Sequence, residues 1–261
     1  TALQDPAYPV YLNWSRFHDL RTCFMPCIRE NGFFGDIPQL VQDGSLDLIW
    51  LCNPNNPTGA VAPKPYLERI VATAMSEGAT LVHDIAYTDF SPGTEKPYAL
   101  SIFNIPGGEE VGGETGSFSK PFSMTGHRLS WVAIKNPELL EAWQKTRTNF
   151  DSGVPEYIQQ GGVTALTDTR VREIVRENMA TYGRRANILR RGFGNIGCQV
   201  HGLEHAPYAW VEVKPGYTSE QFAKRILDEA HVVTIWVSGF GKCGEGYLRT
   251  TVFQTEEKLE Q

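Results

Sequence analysis

Short runs that are apolar at every position, alternating with segments of helical period, constrain this chain more than any other feature. Leu48-Ile49-Trp50-Leu51-Cys52 is such a run, stopped by Asn53-Pro54. A strand with no polar alternation has no face to offer to water, which is the pattern of a strand inside a parallel sheet. Leu67, Ile70, Val71 and Ala74 then recur at the spacing of one helix face, and Gly78 marks the end of that helix. Thr80-Leu81-Val82 reads as the next buried strand and runs into Asp84. Further strands are expected at 113–118 and 129–134. This alternation predicts an α/β fold whose mostly parallel sheet is covered on both faces by helices.

The pattern changes after Asp151. Val171, Ile174, Val175, Met179, Tyr182, Ala186 and Leu189 form one apolar stripe of a long helix expected to end near Gly192. A strand at 208–213 follows, then a helix capped by Thr218 with Gln221 three residues on, then strands at 232–235 and 247–252. The expected division is a large domain over 1–165 and a smaller α+β domain over 166–261 that includes the long connecting helix. There is no internal repeat and no low-complexity segment.

Composition removes several function classes. The net charge of −6, with no sustained basic tract, argues against a general nucleic-acid binder. No run of eighteen apolar residues is present to span a membrane. The five cysteines, Cys23, Cys27, Cys52, Cys198 and Cys243, are odd in number, and Cys23 and Cys27 do not have C-x-x-C spacing. Reduced thiols in a cytoplasmic protein are expected. His18, His201, His205 and His231 show no metal-ligand spacing, so no metal is expected. The chain opens at Thr1 without Met or signal peptide and closes in Glu256-Glu257-Lys258-Leu259-Glu260-Gln261, which resembles a helix cut in its first turn. It therefore reads as a fragment.

Four motifs carry the chemistry, each expected at or just beyond the C-terminal end of a strand, where open α/β sheets bind ligands. In order they are Asn53-Pro54-Asn55-Asn56-Pro57-Thr58-Gly59, then Asp84-Ile85-Ala86-Tyr87, then Ser117-Phe118-Ser119-Lys120 with Gly126 and Arg128, and finally Gly244-Glu245-Gly246-Tyr247-Leu248-Arg249. Singly, each has an ordinary structural reading. The first is rich in turn-forming residues, Asp84 could cap a helix, and Lys120 and Arg128 could be solvated surface charges.

Jointly, the set resembles the fold-type-I aminotransferases of class I/II, in which these motifs occur in this order, and the resemblance runs from Asp5-Pro6-Ala7-Tyr8-Pro9 to Arg249. It implies a fold-type-I enzyme with pyridoxal 5'-phosphate as cofactor and a homodimer as the full-length form. By that resemblance Lys120 holds the cofactor as a Schiff base and afterwards moves the substrate α-proton. Asp84 matches the carboxylate that keeps the pyridine nitrogen protonated. Ser117 and Arg128 match phosphate ligands, and Tyr87 and Asn56 match the groups that hydrogen-bond the ring's phenolic oxygen. Tyr8 matches the aromatic that stacks on one ring face, Ala86 the small residue on the other, and Arg249 the fork that grips the substrate α-carboxylate.

Glu30-Asn31-Gly32-Phe33-Phe34, Asn149-Phe150-Asp151-Ser152-Gly153, His231-Val232-Val233-Thr234 and Ser238-Gly239-Phe240-Gly241 look closer to LL-diaminopimelate aminotransferases and their near relatives. The implied reaction moves an α-amino group between LL-2,6-diaminopimelate and 2-oxoglutarate, a step of lysine biosynthesis. Departures from that pattern are His127, Ser130 and Ile235-Trp236-Val237, and Asp151 where the best-known diaminopimelate enzymes have Asn. Asp151 has two readings, a substrate-binding carboxylate for a distal ammonium or a helix N-cap. The alternatives are an alanine/aspartate-type or broad-specificity aminotransferase, a β-lyase, or the ligand-binding domain of a regulator. As a fragment, the chain is expected to hold the cofactor weakly.

Overall fold

The computed structural model describes residues 1–38, 46–90, 99–236 and 239–260, so Val237 and Ser238 lie outside the described residues. The chain opens with β1 (Ala2–Asp5), α1 (Pro9–Phe17) and β2 (Cys23–Pro26). Next come β3 (Leu48–Cys52), α2 (Lys64–Glu77), β4 (Thr80–Asp84), the short α3 (Gly108–Val111), β5 (Gly112–Ser117) and β6 (Ser130–Ile134). These six strands make one sheet in the order β2-β1-β3-β4-β5-β6. Every pairing in it is parallel except the last, where β6 runs antiparallel to β5 at the edge. The fully apolar β3 run lies in the middle, flanked by β1 and β4, as its lack of alternation requires.

Helix α2 turns Tyr66, Leu67, Ile70, Val71 and Ala74 inward onto a core built with Ile49, Leu51 and Leu81 of β3 and β4. It stops at Gly78, whose left-handed backbone (φ +67°) closes the last turn. Helices α4 (Pro137–Arg147) and α5 (Glu156–Thr167) follow the sheet, and α6 (Thr169–Asn195) leaves it. Asp168 caps α6 by accepting the Arg170 N–H.

A second, all-antiparallel sheet comprises β7 (Val200–Gly202), β8 (Tyr208–Glu212), β9 (Ile235–Trp236) and β10 (Tyr247–Thr251), ordered β7-β8-β10-β9. Helix α7 (Ser219–Ala230) precedes β9 and carries the reciprocal Thr218/Gln221 cap that its sequence predicts. The chain ends in α8 (Glu256–Glu260). One apolar core joins the sheets: Leu3, Tyr11 and Phe90 pack with Met179 and Leu189 of α6 and with Val211 and Leu248 of the second sheet.

Four expectations are corrected. The long helix runs through Gly192 to Asn195. A single glycine inside a helix costs only about 1 kcal/mol against Ala. The stop comes at Gly197, which takes φ +83° and lets the Cys198 N–H reach back to the Phe193 carbonyl. The strand expected at 232–235 is reduced to Ile235–Trp236. His231 ends α7 in the left-handed region, and only Ile235 and Trp236 find partners on β10, Arg249 and Leu248. Asp151 is not a helix N-cap, since α5 begins five residues later behind Pro155. The fourth motif does not end a parallel strand: Arg249 stands in the middle of antiparallel β10, opposite Trp210.

Candidate active site

Parallel pairing brings the C-terminal ends of β1, β3, β4 and β5 to one edge of the first sheet, with Cys52 beside Asp84 and Asp84 beside Thr115 in register. The residues that follow those ends are Tyr8, the 53–59 loop, Ala86 with Tyr87, and Ser117 with Lys120. The first three motifs therefore meet in space because they follow neighbouring parallel strands. The 53–59 loop is held from both sides. The Asn53 Oδ1 accepts the Ala62 N–H at 2.8 Å, and Asn55 Nδ2 donates to the Pro6 carbonyl at 3.2 Å. Gly59 (φ +71°) lies against Gly202 of the second sheet so closely that a Cβ there would stand 2.8 Å from the Gly202 Cα.

Asp84 is a largely buried carboxylate that makes no ion pair among the described residues. Burial pushes its pKa above the ordinary carboxylate value, and two hydrogen bonds oppose that push. The Tyr11 hydroxyl donates to Oδ2 at 2.5 Å and the Ala86 N–H to Oδ1 at 3.0 Å. Tyr11 is a residue of this candidate site that the motif reading missed. It sits three places after Tyr8, on the inward side of α1, and stacks on Trp50 with centroids 5.1 Å apart. Trp50, part of the apolar β3 run, is a partly buried backing for Tyr11, whereas Trp210 is core, 1% exposed. Tyr8 is 44% exposed and meets Tyr11 edge-to-face.

The Lys120 amine has no carboxylate partner among the described residues and lies over the Phe253 ring at 5.4 Å. Burial, with help from the positive charges of Arg249 and Arg128, lowers its pKa. Ser117 Oγ accepts the Ser119 N–H at 3.1 Å. Arg128 is exposed, with a left-handed backbone (φ +56°), and donates to the Thr125 carbonyl at 3.1 Å. Asp151 stands apart from this cluster in its bonding: it is exposed, pairs with Arg147 and accepts the Gly153 N–H at 2.7 Å, and these contacts hold its pKa down.

The second sheet supplies the other wall. Arg249 donates from Nη1 to Asn56 Oδ1 at 2.8 Å, while its buried Nε makes no hydrogen bond among the described residues. Its guanidinium carbon lies over two aromatic rings, 4.5 Å from the centroid of Tyr208 and 4.7 Å from that of Phe240. The loop bearing Phe240 is pinned to the first sheet, where the Phe240 carbonyl accepts the Ala7 N–H and Asp5 Oδ1 accepts the Cys243 N–H. Asn56 Nδ2 in turn donates to the Tyr87 hydroxyl at 3.3 Å, which is 3.1 Å from the Tyr208 hydroxyl. Burial raises the pKa of both phenols, so both stay protonated. Tyr208 and Phe240 were also missed. Their positions read as strand and loop, and no local pattern marks a residue that stacks on an arginine nearly adjacent to it only across a strand pair.

The sequence pattern of the family described as aminotransferase class I and II matches residues 1–261. An LL-diaminopimelate aminotransferase of Dehalococcoides mccartyi is 34% identical over 259 residues, 98% of this chain and 66% of that enzyme. The solved L,L-diaminopimelate aminotransferase of Chlamydomonas reinhardtii is 33% identical and superposes with a TM-score of 0.86 over 99% of this chain and 66% of that one. An aromatic aminotransferase of Pyrococcus horikoshii, 28% identical, superposes at 0.89 over 99% of this chain and 69% of that one. The chain thus spans about two thirds of the length of the proteins it matches, with the fold of type I pyridoxal-phosphate enzymes. It belongs to the class I and II aminotransferases.

Proposed function

We propose that the protein is a pyridoxal-5'-phosphate-dependent aminotransferase that moves the α-amino group of LL-2,6-diaminopimelate to 2-oxoglutarate. The observation that carries the reading is the meeting of Asp84, Lys120 and Asn56 at one sheet edge, with Arg249 hydrogen-bonded to Asn56 from the facing sheet. The donor set fits the cofactor. A largely buried carboxylate without a cationic partner among the described residues suits a protonated ring nitrogen, and a half-buried amine without an anionic partner among them, its pKa lowered, suits attack on an aldehyde. When bound, the cofactor supplies an electron-withdrawing ring that acidifies the substrate Cα–H.

The chain's own groups divide the remaining work. Asp84, braced by the Tyr11 hydroxyl, would hold the proton on the ring nitrogen. Tyr87 and Asn56 would hydrogen-bond the phenolic oxygen, Tyr8 and Ala86 would pack against the ring, and Ser117 and Arg128 would take the phosphate. Lys120 Nζ, its pKa lowered by burial and two nearby arginines, takes up and returns the proton at substrate Cα. The Arg249 fork would grip the α-carboxylate. Asp151 would meet the distal ammonium of a diamino acid. The division into a cofactor-binding domain (1–165) and a smaller domain (166–261) is supported by the two sheets, whose strands fall wholly on either side of that line.

Diaminopimelate as the donor rests on the two diaminopimelate aminotransferases above. A panel of amino donors run with 2-oxoglutarate on the full-length enzyme tests it, reading glutamate formed. LL-2,6-diaminopimelate is expected to give the highest kcat/KM. A higher value for alanine, aspartate or an aromatic donor would overturn the substrate, and ammonia release without glutamate would overturn the reaction type.

A further inference from the structure

We propose that Tyr208 is a positioning residue serving both halves of this site, its ring face holding the Arg249 guanidinium in place and its hydroxyl donating to Tyr87. The inference rests on the reading of Arg249 and Tyr87 given above. Arginine has no acceptor, so the Asn56 side chain must present Oδ1 to Arg249. That settles the amide's orientation: Nδ2 faces Tyr87 and donates to its oxygen. Tyr87 thus has one lone pair occupied and one proton of its own. If Tyr87 gave that proton to Tyr208, none would remain for a ligand in the cavity. If Tyr208 is the donor across the 3.1 Å contact, the Tyr87 oxygen receives two hydrogen bonds and its proton is directed at the cofactor's phenolic oxygen. Two incoming donors also polarise the Tyr87 O–H and strengthen the bond it gives.

The ring does separate work. Tyr208 is 6% exposed, is fixed in β8, and sets its ring centroid 4.5 Å from the guanidinium carbon, with the Phe240 ring packed on the same group at 4.7 Å. A guanidinium held against two rings is restricted in how far it can tilt, which keeps its remaining N–H groups in place for an incoming carboxylate. One buried side chain of the second sheet thereby ties the carboxylate fork to the group that contacts the cofactor ring.

Two variants separate the roles in the full-length, pyridoxal-phosphate-loaded enzyme, read by the pH midpoint of the bound cofactor's absorbance and by calorimetric binding of 2-oxoglutarate. Tyr208→Phe keeps the ring. It is expected to raise the absorbance midpoint by about 0.5–1 pH unit, the worth of one hydrogen bond, and to change 2-oxoglutarate affinity less than about twofold. Tyr208→Leu removes both groups and is expected to show the same midpoint shift with affinity lowered about 5- to 30-fold. An unshifted midpoint in Tyr208→Phe overturns the hydroxyl role, and equal loss of affinity in Phe and Leu variants overturns the ring role. Arg249→Lys serves as the control for the underlying reading. Unchanged 2-oxoglutarate binding there would overturn Arg249 as the carboxylate fork, and the ring role with it, while the midpoint arm continues to decide the hydroxyl role.

Discussion

Tyr11→Phe tests the electrostatic heart of the site without any cofactor. The substitution removes one hydroxyl and keeps the ring that stacks on Trp50, so packing is nearly preserved. Asp84 loses the donor at 2.5 Å and retains only the Ala86 N–H at 3.0 Å. A hydrogen bond to an ionised buried group contributes about 1.5–3 kcal/mol, against about 0.5–1.5 kcal/mol between neutral partners. The folded pKa of Asp84 already lies above its unfolded value through burial. Stability from such a group is complete below the unfolded pKa and is lost as pH rises through the folded one. Without Tyr11 the folded value climbs further. The deficit of the variant should therefore be about 2 kcal/mol at pH above the folded pKa, where the carboxylate carries charge, and about 1 kcal/mol at pH below it, where it does not. Urea unfolding of the cofactor-free protein followed by circular dichroism at several pH values gives both numbers. A deficit that is flat with pH, or larger in acid, would refute the claim that Tyr11 braces an ionised Asp84.

The other substitutions address catalysis. Asp84→Ala should retain some cofactor yet slow proton transfer in single-turnover experiments by at least about 100-fold, with Asp84→Glu milder, because a neutral pyridine is a poor electron sink; near-native rates in Asp84→Ala would reduce that residue to a structural cap. Arg249→Lys should raise KM for every amino donor alike, by about 10- to 100-fold, since a point charge cannot reproduce two parallel hydrogen bonds to a carboxylate. A defect confined to one class of side chain would place Arg249 in the side-chain pocket instead.

How much of this was legible in the sequence depends on whether a residue's role is local. The β3 run, the α2 stripe with Gly78, and the Thr218/Gln221 cap are encoded within a few residues each, and the structure reproduces them. The motifs that hold Asn56, Asp84, Tyr87 and Lys120 could be expected at one edge because each follows a parallel strand, and those strand ends do lie side by side here, while the roles of these residues came from the family resemblance. Tyr11, Tyr208 and Phe240 were not readable, because each acts through a partner supplied by distant chain: Asp84 for the first and Arg249 for the others. The misplaced boundaries have the same origin. Residues 232–234 are apolar enough for a strand, but β10 offers partners only to Ile235 and Trp236. Gly192 resembles a helix stop, but the neighbouring backbone closes at Gly197.

The central claim is that Lys120 is the residue that joins the cofactor. The most direct test adds pyridoxal phosphate to the full-length protein, reduces with borohydride, and locates the attached group by mass spectrometry of the digested chain, in native protein and in Lys120→Ala. The account predicts one stoichiometric pyridoxyl group on Lys120. It also predicts that the Lys120→Ala variant, though still able to bind cofactor non-covalently, carries no stoichiometric label and forms no glutamate from amino donor and 2-oxoglutarate. A stoichiometric label on another lysine, or undiminished labelling and turnover in the variant, would contradict it.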